Sequence, residues 1–250
     1  MYHPEPVFDK RLLRRRFSRA LEEYDQAAVV QAEMAARLLE ALYDLGISPA
    51  RVLEVGAGTG LFTRKFEKVF NPAFYVASDI VPECAGFFRG SSCHFVAADG
   101  EQLPLRPGSF DLIVSNATFQ WFLAPKISFE EMARLLAPQG ILAFTTFGPA
   151  TMLELTPSQR PPALLSAEEL MRLKPASFYS LKTACWRKVL YFQSPEETLR
   201  HLRRTGAMGF LRANWSLKDL RLWKERYKAF GEERGFPLTF EPILMVWQKR

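Results

Sequence analysis

The stretch ARVLEVGAGTGLFTRKF, residues 50–66, joins a short apolar run to three glycines at alternate positions. The run is typical of a buried strand, and Leu61, Phe62 and Phe66 after the glycines have the spacing of a helix face. Glycine has no Cβ atom, so a ligand can approach the backbone of such a turn and reach the free N–H groups where the helix begins. The pattern predicts a ligand site at the turn, although a purely structural corner has the same pattern. The glycines are Gly56, Gly58 and Gly60.

Four further apolar segments predict the other strands of a sheet. The second strand, residues 73–80, ends at Asp79, which lies 19 residues after Gly60. In a nucleotide-binding α/β unit, a carboxylate at this point accepts hydrogen bonds from the ribose hydroxyls. The alternative is that Asp79 only begins the following helix. The remaining predicted strands are 93–100, 140–148 and the first part of 110–122, which runs on into a polar and aromatic loop, and a helix is predicted over 125–137.

The alternation of strands and helices predicts a parallel, doubly wound α/β sheet. In such sheets, ligands bind beyond the carboxyl ends of the strands. Gly56, Asp79, Asp99 and Asn116 all fall at predicted carboxyl ends. Their convergence predicts one nucleotide-binding site at this edge of the sheet.

The segments on either side of this core predict further structure. Amphipathic helices over 8–25 and 27–45 precede the first strand, and they either cover the mouth of the site or brace the sheet. Ser166 and Glu169 form a capping-box pair that begins a helix in the proline-rich stretch after Pro149. Beyond it, the sequence predicts strands over 181–193 and 239–249, helices beginning at Ser194 and Ser216, and a second candidate insertion at 206–236.

These elements predict four parts of the chain. They are an N-terminal helical lid (1–46), an α/β core (47–149), a substrate-side insertion (150–180), and a C-terminal part of the sheet with helical segments (181–250).

The composition is that of a globular protein of 250 residues, with 48% apolar and 24% charged residues. No apolar run is long enough to span a bilayer, and residues 1–17 lack the apolar segment of a signal peptide. The three cysteines and three histidines are scattered without metal-ligand spacing. These features predict a soluble, cytoplasmic protein without a bound metal.

The net charge of +6 is concentrated in two regions. Residues 10–19 contain six basic residues and no acidic one, and residues 200–228 contain nine basic residues and two acidic ones. Such clusters indicate an acidic macromolecular partner. Two solvated helix faces would account for them equally well.

Several segments resemble known methyltransferases. The pattern from Glu54 to Gly60, E-x-G-x-G-x-G, resembles motif I of the class I S-adenosylmethionine-dependent methyltransferases, which is common to that superfamily. With four other segments, the chain resembles the malonyl-acyl-carrier-protein O-methyltransferases of biotin synthesis over nearly its whole length. The stretch 156–178 matches no pattern of that family. The segments are YDQAAVVQAEMAARLL (24–39), LEVGAGTG (53–60), SNATFQWF (115–122), TTFGPATMLEL (145–155) and PLTFEP (237–242).

The resemblance implies a seven-stranded Rossmann-like sheet whose last strand is antiparallel, with S-adenosyl-L-methionine as the cofactor. It implies methylation of the free carboxyl of malonyl-acyl-carrier protein to a methyl ester, which fatty-acid synthesis can extend towards a pimeloyl chain. The partner is then an acyl carrier protein bearing malonyl-phosphopantetheine, with no nucleic acid or membrane, and a monomer is favoured. The predicted cofactor contacts are Glu54, Gly56, Ala57, Gly58, Gly60, Asp79, Ile80, Asp99, Gly100, Asn116 and Gln31.

Transfer to a carboxylate agrees with the residue chemistry. A carboxylate is ionised at neutral pH, so it attacks without a general base. Transfer from a sulfonium removes two opposite charges, so a dry pocket that positions the groups is sufficient. Gln120, Trp121 and Phe122 are predicted to build this pocket, and Tyr24 and Gln31 to contact it from the N-terminal helices. The alternatives are that Trp121 packs in the core and that Tyr24 only ends an apolar stripe.

The substrate carboxylate and the carrier protein are both expected to contact arginines. A bidentate arginine is the expected partner of the carboxylate, and the sequence does not say which one. Carrier proteins are strongly acidic, so a basic surface would steer them to the site. The predicted surface comprises Arg11, Arg15, Arg19, Arg200, Arg203 and Arg204.

Three other functions fit parts of the sequence. A small-molecule carboxyl methyltransferase of the trans-aconitate type shares the glycine turn and the QW loop, but has no use for the basic surface. A nucleic-acid methyltransferase is disfavoured, because residues 115–118 (SNAT) replace the Asp/Asn/Ser-Pro-Pro-aromatic loop common in base methylation. An assembly factor that binds the cofactor without transferring its methyl group would keep the same glycines and acids.

Overall fold

The computed structural model describes residues 9–155, 161, 164–207 and 217–250. Within them, the helices are α1 (Lys10–Ala27), α2 (Val29–Asp44), α3 (Thr63–Phe66), α4 (Pro125–Leu135), α5 (Ala167–Leu173), α6 (Pro195–Arg204) and α7 (Leu217–Lys228). The strands are β1 (Arg51–Val55), β2 (Phe74–Asp79), β3 (His94–Ala97), β4 (Phe110–Asn116), β5 (Leu136–Phe147), β6 (Phe178–Cys185), β7 (Lys188–Phe192), β8 (Phe236–Phe240) and β9 (Pro242–Lys249). Short 3₁₀ helices cover Pro82–Phe88 and Phe119–Trp121.

Seven strands form one sheet in the order β3-β2-β1-β4-β5-β9-β6. The first five strands pair in parallel, and β9 lies antiparallel to both β5 and β6. The predicted seven-stranded sheet with an antiparallel last strand is therefore confirmed. Because β1 to β4 run in one direction, the loops that follow them meet at one edge of the sheet.

The extent of the predicted strand over 181–193 is wrong. The structure divides it into β6, which is the edge strand of the sheet, and β7, which pairs with β8 outside it. The break falls at Trp186, whose backbone N–H donates to the carbonyl of Pro242 at 3.1 Å. The predicted strand over 239–249 is similarly divided, because β8 ends at Phe240 and Pro242 begins β9.

Apolar layers cover both faces of the sheet. On one face, α2 and α3 pack through Leu38 and Phe66, among other residues. On the opposite face, α4 and α5 pack around the fully buried Trp247, whose ring contacts Phe129 and Phe144. The sheet is thus the middle of three layers, and its edge at the strand ends is left for a ligand.

The two N-terminal helices differ in position. Helix α1 begins after Asp9, whose side chain accepts from the N–H of Arg11 at 2.8 Å. It packs against α6 and lies over the strand ends, whereas α2 packs on the sheet. Of the predicted lid over 1–46, only α1 covers the strand ends, and residues 1–8 lie outside the described residues.

The C-terminal predictions are met unevenly. Ser166 and Glu169 form the predicted capping box, with hydrogen bonds of 3.2 and 2.7 Å. The predicted helix start at Ser216 lies outside the described residues, as do 156–160, 162–163 and 208–216 in the predicted insertions. In the part of the chain that the structure describes, no helix has both the length and the apolar character to cross a membrane.

Candidate functional site

The glycine turn after β1 brings the chain close to the loop after β4. Gly56 has φ +75°, and a Cβ atom there would overlap the side chain of Thr118. The N–H groups of Gly56 and Ala57 donate to the carbonyl of Ser78 at 2.8 and 2.9 Å, which ties the turn to the end of β2. Only glycine fits at position 56, because both the backbone conformation and the neighbour exclude a side chain.

Asp79 lies at the end of β2, facing the glycine turn. Its two carboxylate oxygens each accept one backbone N–H, from Gly58 and from Val81, both at 2.8 Å. Burial raises the pKa of the Asp79 carboxyl, and these two N–H donors act in the opposite direction. An ionised carboxylate has about four acceptor positions, so Asp79 keeps capacity for two more donors, as a ribose would supply.

Helix α1 is tied to the sheet edge at both of its ends. Near its beginning, Lys10 pairs with Asp99 at 2.5 Å and with Glu101. Near its end, Asp25 accepts from the hydroxyl of Thr59 in the glycine turn at 2.5 Å and pairs with Arg64. The helix therefore forms a roof over the carboxyl ends of the strands.

Between this roof and the strand ends lies a cleft, the cofactor cavity, with about 810 Å³ of empty space including that open to solvent. This volume is in the range of sites for small ligands, roughly 300–1,000 Å³. Lys10, Leu13, Phe17, Leu21 and Thr59 line it without having been predicted to do so, although the apolar stripe of α1 is visible in the sequence. The predicted residues that line it are Gly56, Gly58, Asp79, Ile80, Asp99, Gly100, Asn116, Tyr24, Trp121 and Phe122.

Four predicted cofactor contacts do not line this cavity: Glu54, Ala57, Gly60 and Gln31. Glu54 is 1% exposed, and one of its oxygens accepts from the hydroxyls of Thr63 at 2.5 Å and Tyr75 at 2.6 Å. Burial raises its pKa to about 7. The Glu54 carboxyl thus ties β1 to α3 and β2 instead of facing a ligand.

Asn116 lines the cavity, but its amide is engaged within the protein. Its Nδ2 donates to the carbonyl of Gln31 at 3.1 Å, and its Oδ1 accepts from the hydroxyl of Thr145 at 2.8 Å. Asn116 therefore joins α2 to the ends of β4 and β5.

A second space, the inner cavity, adjoins the first and has about 410 Å³ of empty space. The two cavities share the lining residues Phe17, Tyr24, Ala117 and Trp121, which therefore form the boundary between them. The other residues that line the inner cavity are Gln31, Gln120, Phe147, Thr151, Met152, Pro161, Thr205, Ala207 and Phe240.

The loop after β4 is held in a strained conformation between the cavities. Ala117 has φ +54°, a value uncommon outside glycine, and its N–H donates to the carbonyl of Thr145 at 3.0 Å. Gln120 donates to the carbonyl of Ala117 at 2.5 Å and accepts from Thr146 at 3.2 Å. This places Trp121 edge-on against Phe17 of α1, with ring centroids 5.5 Å apart. Gln120, predicted to build the transfer pocket, therefore holds the loop that presents Trp121.

The predicted arginines lie outside both cavities. Among the described residues, no arginine lines either one, so the expected arginine partner of a carboxylate is not found there. Arg204 pairs with Glu23 at 2.7 Å and Gln26 at 2.9 Å, which braces α6 against α1. The others are exposed on these two packed helices: Arg11, Arg15 and Arg19 on α1, and Arg200 and Arg203 on α6.

Comparison with known proteins identifies the family. A model described as a methyltransferase domain matches residues 53–144. A relative from Chlorobium luteolum, named a malonyl-acyl-carrier-protein O-methyltransferase, is 34% identical over 97% of this chain and 96% of its own length. The chain belongs to the malonyl-acyl-carrier-protein O-methyltransferase family.

Solved structures share the fold of this family member. The YcgJ protein from Bacillus subtilis is 18% identical, with a TM-score of 0.62 over 86% of this chain and 99% of its own. The N-methyltransferase NodS from Bradyrhizobium japonicum, in complex with S-adenosyl-L-homocysteine, is 17% identical, with a TM-score of 0.50 over 87% of this chain and 86% of its own. At these identities the likeness shows the fold alone.

In this methyltransferase, two of the segments that resemble the family, 145–155 and 237–242, meet at the inner cavity. Glu154 accepts from the hydroxyl of Thr239 at 2.6 Å and from its N–H at 3.0 Å. Glu241 accepts from the N–H of Ala150 at 2.7 Å, and its own N–H donates to the hydroxyl of Thr151 at 3.0 Å. The resemblance names these segments without a role for them, and the structure shows that they build one wall of the inner cavity.

Within the described ranges, no group of three or more His, Cys, Asp or Glu side chains is arranged to hold a metal ion.

Proposed function

We propose that this chain transfers the methyl group of S-adenosylmethionine to the free carboxylate of malonyl-acyl-carrier protein and releases the methyl ester. The observation that supports this best is the pair of adjoining cavities. One has acids at the strand ends that suit a nucleoside, and the other has no ionisable group but Tyr24 among its described residues. Membership of the family supplies the substrate class, and the ester would enter fatty-acid synthesis as an early step towards biotin.

The cofactor cavity has carboxylate acceptors and an accessible backbone turn that suit this cofactor. S-adenosylmethionine supplies an activated methyl group on a sulfonium when it is bound. Asp79 is the residue for the ribose hydroxyls, because its carboxylate is held by two N–H groups and has acceptor positions left. Gly56 and Gly58 allow close approach of the backbone. Asp99 offers an acceptor for the amino group of the adenine ring. Gly100 and Phe122 lie beside it and offer a flat apolar wall for the ring.

The residues between the cavities position the acceptor. The substrate carboxylate is ionised at neutral pH, so no residue has to remove a proton from it. Phe17, Tyr24 and Trp121 line both cavities, and in this proposal the methyl group passes between them while their rings exclude water from the reacting atoms. Because two opposite charges disappear on transfer, a dry and well-ordered passage favours the reaction mainly through orientation.

The packed faces of α1 and α6 are the proposed docking surface for the carrier protein. Five exposed arginines lie on these helices, while Thr205 and Ala207 at the end of α6 line the inner cavity. Exposed charges of this kind raise the association rate with an acidic partner and make it salt-dependent. Arg204 is the exception, because its guanidinium braces the two helices.

The decisive experiment is mass spectrometry of malonyl-acyl-carrier protein after incubation with the enzyme and S-adenosylmethionine. We expect a gain of one methyl group, lost again on ester hydrolysis. Preferential methylation of free polycarboxylic acids would instead support a small-molecule enzyme. Cofactor binding by calorimetry without any methyl ester would support an assembly factor.

The docking surface is tested separately with Arg15→Glu and Arg203→Glu. We expect a higher KM for malonyl-acyl-carrier protein, roughly three- to tenfold at low salt, with unchanged kcat for malonyl-pantetheine. Arg172→Glu on α5 is the matched control, because that arginine is exposed on another part of the surface. An equal effect of all three changes would contradict the proposed surface. The expected monomer and cytoplasmic location stay predictions.

A further inference from the structure

The inner cavity is mainly apolar, and its described lining is almost free of ionisable groups. Its described lining contains five residues with polar side chains besides the Trp121 indole, and it contains no lysine, arginine, histidine, aspartate or glutamate. The half-buried Arg16 of α1 does not line it. The polar lining residues are Tyr24, Gln31, Gln120, Thr151 and Thr205.

Three of these five side chains are engaged in the walls. Gln120 uses both ends of its amide, towards Ala117 and Thr146. The hydroxyl of Thr205 donates to the carbonyl of His201 at 3.0 Å. The hydroxyl of Thr151 accepts from the N–H of Glu241 at 3.0 Å. These groups maintain the shape of the cavity and have little capacity left for a ligand.

The side chains of Gln31 and Tyr24 have no hydrogen-bond partner among the described residues. Gln31 is only 9% exposed, and its backbone carbonyl accepts from Asn116, while its side-chain amide lines the inner cavity. An amide that lines a cavity without a protein partner can still donate to and accept from a ligand. Tyr24 lines both cavities, and burial together with Asp25 and Asp79 raises the pKa of its hydroxyl, which therefore stays a neutral donor.

We propose that the Gln31 amide, assisted by the Tyr24 hydroxyl, binds the acceptor carboxylate in the inner cavity, whose described lining contains no cation, and that this makes the enzyme favour half-thioesters over free dicarboxylates. The inference rests on the proposed function, which supplies the carboxylate. A malonyl thioester has one negative charge, and its other carbonyl is neutral. Free malonate at neutral pH would bring a second charge into a cavity whose described lining offers no counter-ion.

The absence of a cation from the described lining also suits the reaction. An arginine beside the carboxylate would stabilise the charged reactant more than the nearly neutral transition state, and would therefore slow the transfer. A neutral amide orients the carboxylate and leaves its charge to attract the sulfonium. Gln31, predicted from the sequence as a cofactor contact, is thus assigned to the acceptor.

The test compares Gln31→Glu and Gln31→Met with the unmodified enzyme. The glutamate keeps the shape but repels a carboxylate, and the methionine keeps the volume but donates nothing. We expect kcat/KM for malonyl-acyl-carrier protein to fall roughly 10- to 100-fold in both, as for loss of a hydrogen bond to a charged group. The affinity for S-adenosylmethionine, measured by calorimetry, should change less than about twofold. Gln139→Glu is the matched control, because Gln139 is exposed and lies at the end of β5 that is far from the inner cavity. This variant should behave as the unmodified enzyme.

A second measurement needs no variant. Monomethyl malonate and malonate have nearly the same size but carry one and two negative charges, so they are compared as competitors of malonyl-pantetheine. We expect monomethyl malonate to compete at least about tenfold better at neutral pH, since burial of the extra charge is unfavourable. Equal competition would overturn the inference, as would unchanged kcat/KM in both Gln31 variants of an active enzyme. Failure of the unmodified enzyme to esterify any malonyl thioester would overturn the proposed function and the inference with it.

Discussion

The two cavities share α1 and the loop after β4, but they are built in different ways. In the cofactor cavity, each acid at a strand end accepts a backbone N–H of its own loop, from Val81 for Asp79 and from Glu101 for Asp99, and Asp79 accepts a second from Gly58, 21 positions away. In the inner cavity, the wall depends on residues distant in sequence, since Glu154 and Thr239 are 85 positions apart. Cofactor chemistry is therefore a property of local motifs, whereas substrate preference depends on pairing between remote segments.

The largest effect is expected in the cofactor cavity, at the glycine turn after β1. Gly56→Ala introduces a Cβ atom into the side chain of Thr118 and forces alanine to adopt φ +75°. Overpacking of ~1–3 kcal/mol and left-handed strain of ~1–2 kcal/mol add, so we expect the dissociation constant for S-adenosylmethionine to rise at least about 30-fold. Isothermal calorimetry measures it directly.

Gly90→Ala is the control for Gly56→Ala. Gly90 has a similar φ of +77°, but a Cβ atom there would meet nothing within 4 Å. It should lower stability without changing cofactor affinity. Equal loss of binding in both variants would mean that general destabilisation, and not the turn itself, explains the result.

A pH series tests the buried acid beneath the cofactor cavity. The pKa of Glu54 is raised from 4.5 to about 7, so its ionised form is disfavoured in the folded state. Its contribution to stability is complete below about pH 4.5 and is lost as the pH rises through 7. Between pH 5 and 8, we expect the free energy of unfolding to fall by about 2–3 kcal/mol more in the unmodified protein than in Glu54→Gln.

Urea unfolding at the two pH values measures this difference. Glu168→Gln, at an exposed position on α5, should keep the pH dependence of the unmodified protein. The same slope in Glu54→Gln and the unmodified protein would show that Glu54 does not titrate in this range.

Glu154→Ala tests the wall of the inner cavity, which depends on contacts between distant segments. It leaves the N–H and hydroxyl of the buried Thr239 without their shared acceptor, which costs ~1–3 kcal/mol. We expect lower stability and a lower kcat/KM for malonyl-acyl-carrier protein, with cofactor affinity within about twofold of the unmodified enzyme. The exposed Glu168→Ala serves as the control. A parallel loss of cofactor affinity would show that the two cavities are not built independently.

The smallest effect is expected at the ion pairs that hold the beginning of α1 to the strand ends. Lys10→Gln removes the ion pairs with Asp99 and Glu101, which are partly exposed and contribute up to about 1 kcal/mol. Release of S-adenosylhomocysteine, followed by stopped-flow fluorescence, should become up to about fivefold faster. Lys182→Gln removes a comparable pair with Asp44 away from both cavities and should leave release unchanged.

The sequence predicted part of the residues that line the cofactor cavity and did not predict the wall of the inner cavity. Gly56, Gly58 and Asp79 were predictable because strand ends in a parallel sheet converge on one edge. Glu54 belongs to the same motif, but a motif does not state which way a strand side chain points, and this one is buried against Thr63 and Tyr75.

Gln31 and the inner wall show why the rest could not be predicted. The spacing within 24–39 predicts a helix, but which cavity its side chains reach depends on where that helix packs. The partners of Glu154 and Glu241 are likewise set by the pairing of distant segments, which no local pattern encodes.

The position of α1 has a kinetic consequence. Because Phe17 and Tyr24 of this helix border both cavities, a displacement that opens one also disturbs the other. Donor and acceptor then cannot exchange independently, and initial-rate plots at varied concentrations of both should reveal a fixed sequence of binding. Because α1 is tied over the cofactor cavity through Lys10 and Asp25, the methyl donor should enter first and its product leave last.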